Sequence, residues 1–317
     1  MPSTIFPLEG KRVWVAGHRG MVGSALVRRL AREGCEILTA DRERLDLTRQ
    51  DQVERWVQTA KPEAIFLAAA RVGGIMANST RPANFIYENL AISANVIETA
   101  HRHGVGKLMV LGSSCIYPKF AEQPIAEEAL LTGPLEPTNQ WYAVAKIAAL
   151  KMAQAYRAQY GCDFISAMPT NLYGPGDNFD LEEGHVLPSL LRKAHEAKVR
   201  GEAQLVIWGS GAPRREFLHV DDCADALVFL MRTYSGESQV NVGSGEDLTI
   251  RELAACVCEA VGFKGEIVTD PTKPDGTPRK LMSADRLRGM GWAPEIPLKA
   301  GVRDVYRWYL STLAAAA

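Results

Sequence analysis

R-V-W-V-A-G-H-R-G-M-V-G-S-A-L-V-R-R-L, residues 12–30, is the stretch from which the architecture of the whole chain can be read. Its first five residues are an apolar run with β-branched members, ended by glycine, as in a buried strand. Glycines at 17, 20 and 23 follow, and Met21, Val22, Ala25, Leu26 and Leu30 then recur at helical spacing. A strand, a glycine turn and a helix in that order suit a dinucleotide. Glycine lets the backbone approach a pyrophosphate, and the helix N-terminus favours its charge. The spacing is G-x-x-G-x-x-G, not the commoner G-x-G-x-x-G.

Outward from this unit the alternation continues. A second strand over 35–40 ends at Asp41 and Arg42. An acidic residue there binds the ribose hydroxyls of NAD, whereas a nearby Arg favours the 2′-phosphate of NADP. Asp41 pulls one way and Arg19 and Arg42 the other, and the balance predicts NADP. Helices over 50–59 and 82–101 alternate with strands over 64–70 and 107–111, which predicts an α/β fold with a doubly wound parallel sheet. Ligands of such sheets bind beyond the carboxyl ends of the strands, so Gly17 and the segment 112–115 share one edge. A strand over 164–168 runs into P-T-N-L-Y-G-P-G-D-N, an exit from the sheet. Helix patterns near 185–200, 222–233, 249–261 and 299–312, with short strands near 204–208 and 238–242, form a smaller mixed region. The expected division is a nucleotide-binding part over 1–172, to which 216–235 returns, and a mainly substrate-binding part over 173–317.

Composition narrows the class. The chain has 317 residues, 47% hydrophobic, enough for one large core or two smaller ones. Its 36 basic and 37 acidic residues nearly cancel, without long runs of either sign, which argues against nucleic-acid and membrane-surface partners. No apolar segment approaches the roughly 20 residues that span a bilayer. The start, M-P-S-T-I-F-P-L-E-G-K-R, lacks the apolar centre of an export signal. Six scattered cysteines without C-x-x-C spacing predict reduced thiols in the cytoplasm and no metal site.

The chemistry is concentrated in a few segments. In T-N-Q-W-Y-A-V-A-K, residues 138–146, Tyr142 and Lys146 lie four apart in an Ala- and Leu-rich run with no helix breaker before Gly161. They share one helix face. An adjacent ammonium is expected to lower the phenol's pKa from about 10 and make it a proton donor and acceptor near neutrality. On its own such a pair arises by chance in many helices. In G-S-S-C-I-Y-P, Ser113 and Cys115 are two apart, so an extended chain would point both to one side. The hydroxyl could bond a substrate carbonyl, and the thiol could exchange protons or simply pack. His185 in E-G-H-V-L-P opens a helix and, taken alone, suits capping or packing. Trp208, Arg214 and Arg215 in W-G-S-G-A-P-R-R-E-F, and the segment K-P-D-G-T-P-R-K over 273–280, place basic residues in turn-rich loops that suit a diphosphate.

Together, G-H-R-G-M-V-G, Ser113, Tyr142 and Lys146 resemble the extended short-chain dehydrogenase/reductases that act on nucleotide sugars. G-S-S-C-I-Y-P, E-P-T-N-Q-W-Y-A-V-A-K, M-P-T-N-L-Y-G-P, R-R-E-F-L-H-V-D-D and K-P-D-G-T-P-R-K are similar to the branch acting on GDP-4-keto-6-deoxy-D-mannose. That branch inverts C3 and C5 and then reduces the C4 ketone. The resemblance covers residues 11–292 and implies Ser113, Tyr142 and Lys146 as the reductase triad, with Cys115 and His185 as the epimerising pair. It implies an NADP(H) site lined first by Gly17, His18, Arg19, Gly20, Met21, Val22 and Gly23. Arg42, Leu45, Asp46 and Leu47 would follow, then Leu111, Gly112, Ser113 and Ser114. Lys146, Pro169, Thr170, Asn171, Leu172 and His185 would complete it. Lys193, Trp208, Arg215 and Asp275 would hold the GDP-sugar. A homodimer joined through two helices of the nucleotide-binding part is implied as well. The chain departs from the pattern at Arg71, where Lys is expected, and at Gly176, where a larger polar residue is usual. A C4 epimerase retaining NAD, another keto-sugar reductase, and a non-catalytic NADP sensor are the competing readings.

Overall fold

The structure, a computed structural model, describes residues 3–181, 184–273 and 275–316. Strand β1 (Arg12–Ala16), helix α1 (Met21–Leu30), β2 (Glu36–Leu38), α2 (Gln50–Ala60) and β3 (Ala64–Leu67) open the chain. They are followed by α3 (Ile75–Thr80), α4 (Pro82–Arg102), β4 (Lys107–Leu111), α5 (Gln140–Tyr160) and β5 (Phe164–Pro169). These strands and the later β9 (Val240–Val242) form one sheet, ordered β2-β1-β3-β4-β5-β9, with every pair parallel.

The apolar runs explain the layering. Successive strand side chains point to opposite faces, so a strand covered on both sides must be apolar at every position. In β1, Val13 and Val15 face a core with Ala25, Leu26 and Leu30 of α1. Trp14 and Ala16 face the other core, with Val53 and Val57 of α2, Val96 and Ile97 of α4, and Ala149 and Ala153 of α5. Full burial of such aliphatic side chains is worth about 1.5–3 kcal/mol each. The strand order reverses between β1 and β3. Their following loops therefore diverge and leave a crevice at the carboxyl edge.

Beyond β5 come β6 (Asn171–Tyr173), α6 (Val186–Arg200), β7 (Gln204–Trp208), β8 (Arg214–His219) and α7 (Val220–Thr233). After β9 the chain forms β10 (Asp247–Thr249), α8 (Ile250–Val261), β11 (Glu266–Asp270), β12 (Arg279–Lys280), α9 (Asp285–Gly289) and α10 (Leu298–Ala316). Helix α7 belongs to the first core, where Leu227, Leu230 and Met231 pack with the α1 residues. Helices α6, α8 and α10 build a separate core from Leu187, Leu190, Leu191, Leu253, Val257, Val302 and Val305. There β8 pairs with β6, β10 and β12, and β7 pairs with β11.

Several expected boundaries shift. The strand over 64–70 stops at Leu67, because the backbone at 68–69 turns to meet the glycine loop. Strands β6, β8, β10, β11 and β12 are not apparent in the sequence. Most are two or three residues long, and pairing partners distant in the chain define them.

Candidate active site

The glycine loop is shaped by contacts that exclude a side chain. Gly17 has φ +93°, and a Cβ there would lie 2.6 Å from the Ala69 nitrogen. A Cβ at Gly23 would lie 2.0 Å from the Gly17 carbonyl oxygen. At Gly20 the nearest atom would be 3.4 Å away, an ordinary contact. No side chain caps α1, so the N–H groups of its first turn are available to an anion. The cradle therefore fits a pyrophosphate. Gly176 adds a wall beside the start of α1. Its φ is +89°, and an added Cβ would lie 3.5 Å from the Met21 Cα, so glycine suits this departure from the family pattern. Arg71, the other departure, pairs with Glu88 and lies over the Phe85 ring.

The end of β2 fits a 2′-phosphate. Asp41 accepts from Arg19 Nε at 2.7 Å and from His18 Nε2 at 3.2 Å. Its carboxylate is thus engaged by Arg19 and His18, while Arg19 and Arg42 remain exposed. Leu45 is buried in the core. The Asp46 carboxylate accepts from the Thr48 N–H and hydroxyl, and these bonds hold its pKa down. The Leu47 carbonyl accepts from Asn95. Residues 45–47 are thus an ordered turn at the end of this strand.

On the neighbouring strand, Gly112 leaves room for the Met168 side chain, whose Sδ would lie 2.1 Å from a Cβ there. Ser113 is extended, and Ser114–Ile116 then form a single 3₁₀ turn. This corrects the extended-chain expectation for 113–115. The two side chains converge because the turn folds back, with the Cys115 N–H donating to Ser113 Oγ at 3.3 Å. Ser114 is buried beneath them. From β5 and beyond, Pro169, Thr170, Asn171 and Leu172 run along the same edge, tied by Thr170 N to the Val242 carbonyl and Asn171 Nδ2 to the Glu216 carbonyl.

Helix α5 carries Tyr142 and Lys146 to this edge and ends at Gly161, which has φ +71°. Lys146 is buried, and its Nζ donates to the Leu111 carbonyl at 2.8 Å while lying 5.8 Å from the centre of the Tyr142 ring. Burial pushes its pKa down to about 8. The expected lowering of the Tyr142 pKa does not occur. Burial of the hydroxyl raises it, the Cys115 charge raises it further, and a hydrogen bond with Ser113 only partly offsets them. The ammonium is directed at a backbone carbonyl, so without a ligand the phenol stays protonated. It is a proton donor.

The Cys115 sulfur accepts from Asn139 Nδ2 at 3.2 Å and from Lys280 Nζ at 3.6 Å. His185 precedes α6 as its N-cap, and its side chain makes no cap bond. It is exposed to the open cleft, yet desolvation by nearby walls lowers its pKa and favours the neutral imidazole. Ser113 and Tyr142 therefore share a hydrogen bond, and Cys115 lies near enough for its charge to act on Tyr142, while His185 shares no side-chain hydrogen bond with them among the described residues.

The remaining candidates form a second wall. Lys193 Nζ lies 4.9 Å from the centre of the Trp208 ring and Lys273 Nζ 5.4 Å from it. Trp208 is half exposed, and partial burial lowers the Lys193 pKa. Asp275 accepts from the Ser210 N–H and hydroxyl, at 2.9 and 2.7 Å. Arg215 donates to the carbonyls of Arg214 and Thr277, and burial lowers its pKa. Arg214 instead pairs with Asp247. Pro274 lies outside the described residues. Asn139 is not among the sequence candidates, and Lys280 is there only as one of the basic residues of 273–280 suited to a diphosphate. Asn139 is marked only by standing just ahead of the α5 pattern, and nothing in the sequence brings Lys280 to Cys115.

A glycine cradle beside a Ser-Tyr-Lys set at the crevice of a parallel sheet defines a nucleotide-dependent oxidoreductase site. The chain belongs to the NAD dependent epimerase/dehydratase family, whose pattern matches residues 13–243. It is 61% identical over 310 residues to the GDP-L-fucose synthase of Sinorhizobium fredii, covering 98% of this chain and 99% of that protein. It is 51% identical over 313 residues to the GDP-L-fucose synthase of Escherichia coli, covering 96% of this chain and 98% of that one. Among solved structures, the GDP-L-fucose synthetase of Naegleria fowleri bound to NADP superposes with a TM-score of 0.90 at 30% identity. That match covers 99% of this chain and 96% of the other.

Proposed function

We propose that the protein uses NADPH to convert GDP-4-keto-6-deoxy-D-mannose to GDP-L-fucose, by inversion at C3 and C5 and reduction at C4. The reading rests on one observation above all: a third proton-handling side chain, Cys115, converges with Ser113 and Tyr142. A plain ketone reductase has no use for it. The extent of similarity to the S. fredii and E. coli proteins supports the same reading.

The C4 ketone acidifies the hydrogens on C3 and C5, because loss of either gives an enolate on the same oxygen. Ser113 and Tyr142 hydrogen-bond that oxygen as charge develops. Cys115 and His185 handle protons on opposite faces of the sugar, one removing and the other returning each proton. Bound NADPH supplies the hydride for C4. Tyr142 then gives its proton to the C4 oxygen, and Lys146 orients the nicotinamide ribose. Trp208 stacks the base, while Lys193 and Arg215 meet the diphosphate. In this division residues 1–172 and the returning segment 216–235 bind the cofactor, and most of 173–317 binds the GDP-sugar.

The test supplies GDP-4-keto-6-deoxymannose and NADPH, follows the absorbance of the reduced cofactor, and assigns product stereochemistry by NMR. Absence of NADPH oxidation sinks the proposal. Cys115→Ser blocks inversion and leaves a competent reductase; wild-type formation of GDP-L-fucose by that variant would remove Cys115 from the mechanism. A C4 epimerase would instead show no net NADPH consumption.

We also propose a cytoplasmic homodimer. All six cysteines are free, and among the described residues no helix is long and apolar enough to cross a membrane. Tyr87 on α4 and Trp141, Val144 and Tyr160 on α5 are exposed. Pairing these two helices with their copies would cover them. Sedimentation velocity giving a monomer at micromolar concentration would refute the dimer.

A further inference from the structure

We infer that Lys280, together with Asn139, is a positioning residue for Cys115, two donors that fix where its sulfur lies. The role deepens the epimerisation proposed above and rests on it for its catalytic meaning; the contact itself does not.

The two side chains reach the sulfur from different parts of the chain, and each is held there by its surroundings. Asn139 is the N-cap of α5, a position at which Asn is among the most favoured residues because its oxygen accepts from the first turn. That bond is not made. Its Nδ2 instead stands 3.2 Å from Cys115 Sγ, and its Oδ1 is buried without a partner. Local helix stability is given up for a contact to sulfur.

Lys280 arrives from β12. Its neighbour Arg279 is drawn to the opposite face by Asp247, with Nε 2.5 Å from Oδ2. Strand side chains alternate, so that pairing turns Lys280 toward the sulfur, 3.6 Å away. The short strand cannot slide. The Leu281 N–H donates to Gln123 Oε1 at 2.8 Å, and the Met282 N–H donates to the buried Glu216 at 3.1 Å. Arg215, paired with Lys280 in register, lies on the GDP side of the same strand pair.

In the epimerising step Cys115 takes a proton from the sugar carbon. The S–H bond forms as the C–H bond breaks, and the electron pair moves onto the C4 oxygen held by Ser113 and Tyr142. Lys280 and Asn139 keep their own protons throughout. Their N–H groups point at the sulfur and keep it in place while the proton moves. Among the described residues, the titratable groups facing Cys115 are Tyr142 from α5 and Lys280 from β12.

The test measures iodoacetamide alkylation of Cys115, resolved by peptide mass spectrometry, in substrate-free protein near neutral pH. Alkylation should slow about tenfold in Lys280→Met and stay within about twofold of wild type in Lys280→Arg. Asn139→Ala is the second variant: Asn139 makes no cap bond, so this change removes the donor to sulfur without adding a charge. The inference predicts slower alkylation here too. Unchanged alkylation in both Lys280→Met and Asn139→Ala overturns it, and if Lys280→Met does not fold, Lys280→Gln and Asn139→Ala decide. With GDP-4-keto-6-deoxymannose in deuterated buffer, exchange at C3 and C5 should fall in parallel while NADPH affinity is retained. Slower alkylation in the variants, with no exchange even in wild type, would reject the proposed function and leave the Lys280 contact standing.

Discussion

The three glycines of the cofactor loop look alike in the sequence, yet the structure predicts very different tolerance to alanine. At Gly23 the new Cβ would meet three backbone atoms, the Gly17 oxygen at 2.0 Å, the Gly17 carbon at 2.6 Å and the His18 Cα at 2.8 Å. No rotamer change can relieve contacts with backbone, so the loop must move by about 1 Å or more. Overpacking of this kind costs about 1–3 kcal/mol, and the backbone contacts put Gly23→Ala at the upper end. At about 2 °C per kcal/mol for a large domain, Tm should fall by roughly 4–6 °C. Gly20 has an extended backbone with φ −72°, and its added Cβ meets only the Gly17 oxygen at 3.4 Å. Its cost is the poorer capping of alanine, about 0.5–1 kcal/mol, or roughly 1–2 °C. Differential scanning fluorimetry of both variants without cofactor separates the two. A matching NADPH titration should show Gly23→Ala losing affinity as the first-turn N–H groups lose their alignment. Equal Tm losses in the two variants, or a wild-type Tm for Gly23→Ala, would refute the steric account of this loop.

Lys146 gives a pH test. Its folded-state pKa is pushed from 10.5 down to about 8, so between those values the unfolded chain binds more protons and stability rises with pH. The stability of wild type relative to Lys146→Met should therefore improve by about 3 kcal/mol across that window, read by urea unfolding without cofactor. A constant difference would show that burial does not disfavour the ammonium. Trp208→Ala should raise KM for the GDP-sugar roughly 5- to 100-fold through about 1–3 kcal/mol of lost base stacking, with NADPH affinity unchanged. Loss of NADPH affinity in that variant would move Trp208 out of the GDP site.

Much of the nucleotide-binding half is legible because its signals are local. Runs such as V-W-V-A and A-I-F-L are apolar at every position since helices cover both faces of their strands, and that requirement is written residue by residue. Helix α5 is similarly plain, from its Ala-rich body to Gly161. The second region is harder to read. Strand β8 starts with two half-buried arginines, engaged by Asp247 and by loop carbonyls, and buries the four residues that follow. Its partners β10 and β12 are three and two residues long, so no periodicity can develop.

The sequence by itself determined the parallel sheet and the glycine cradle, and it singled out Ser113, Cys115, Tyr142 and Lys146 as candidates, because strand runs and short motifs depend on residue type and near-neighbour spacing. It could not determine the state of those groups. Only the tertiary structure places Tyr142 where burial raises its pKa, directs Lys146 at the Leu111 carbonyl, and turns 113–115 through a 3₁₀ turn. Only the fold brings Lys280 across from β12 to Cys115. Desolvation and through-space charge depend on which surfaces meet, and no short stretch of sequence contains both surfaces.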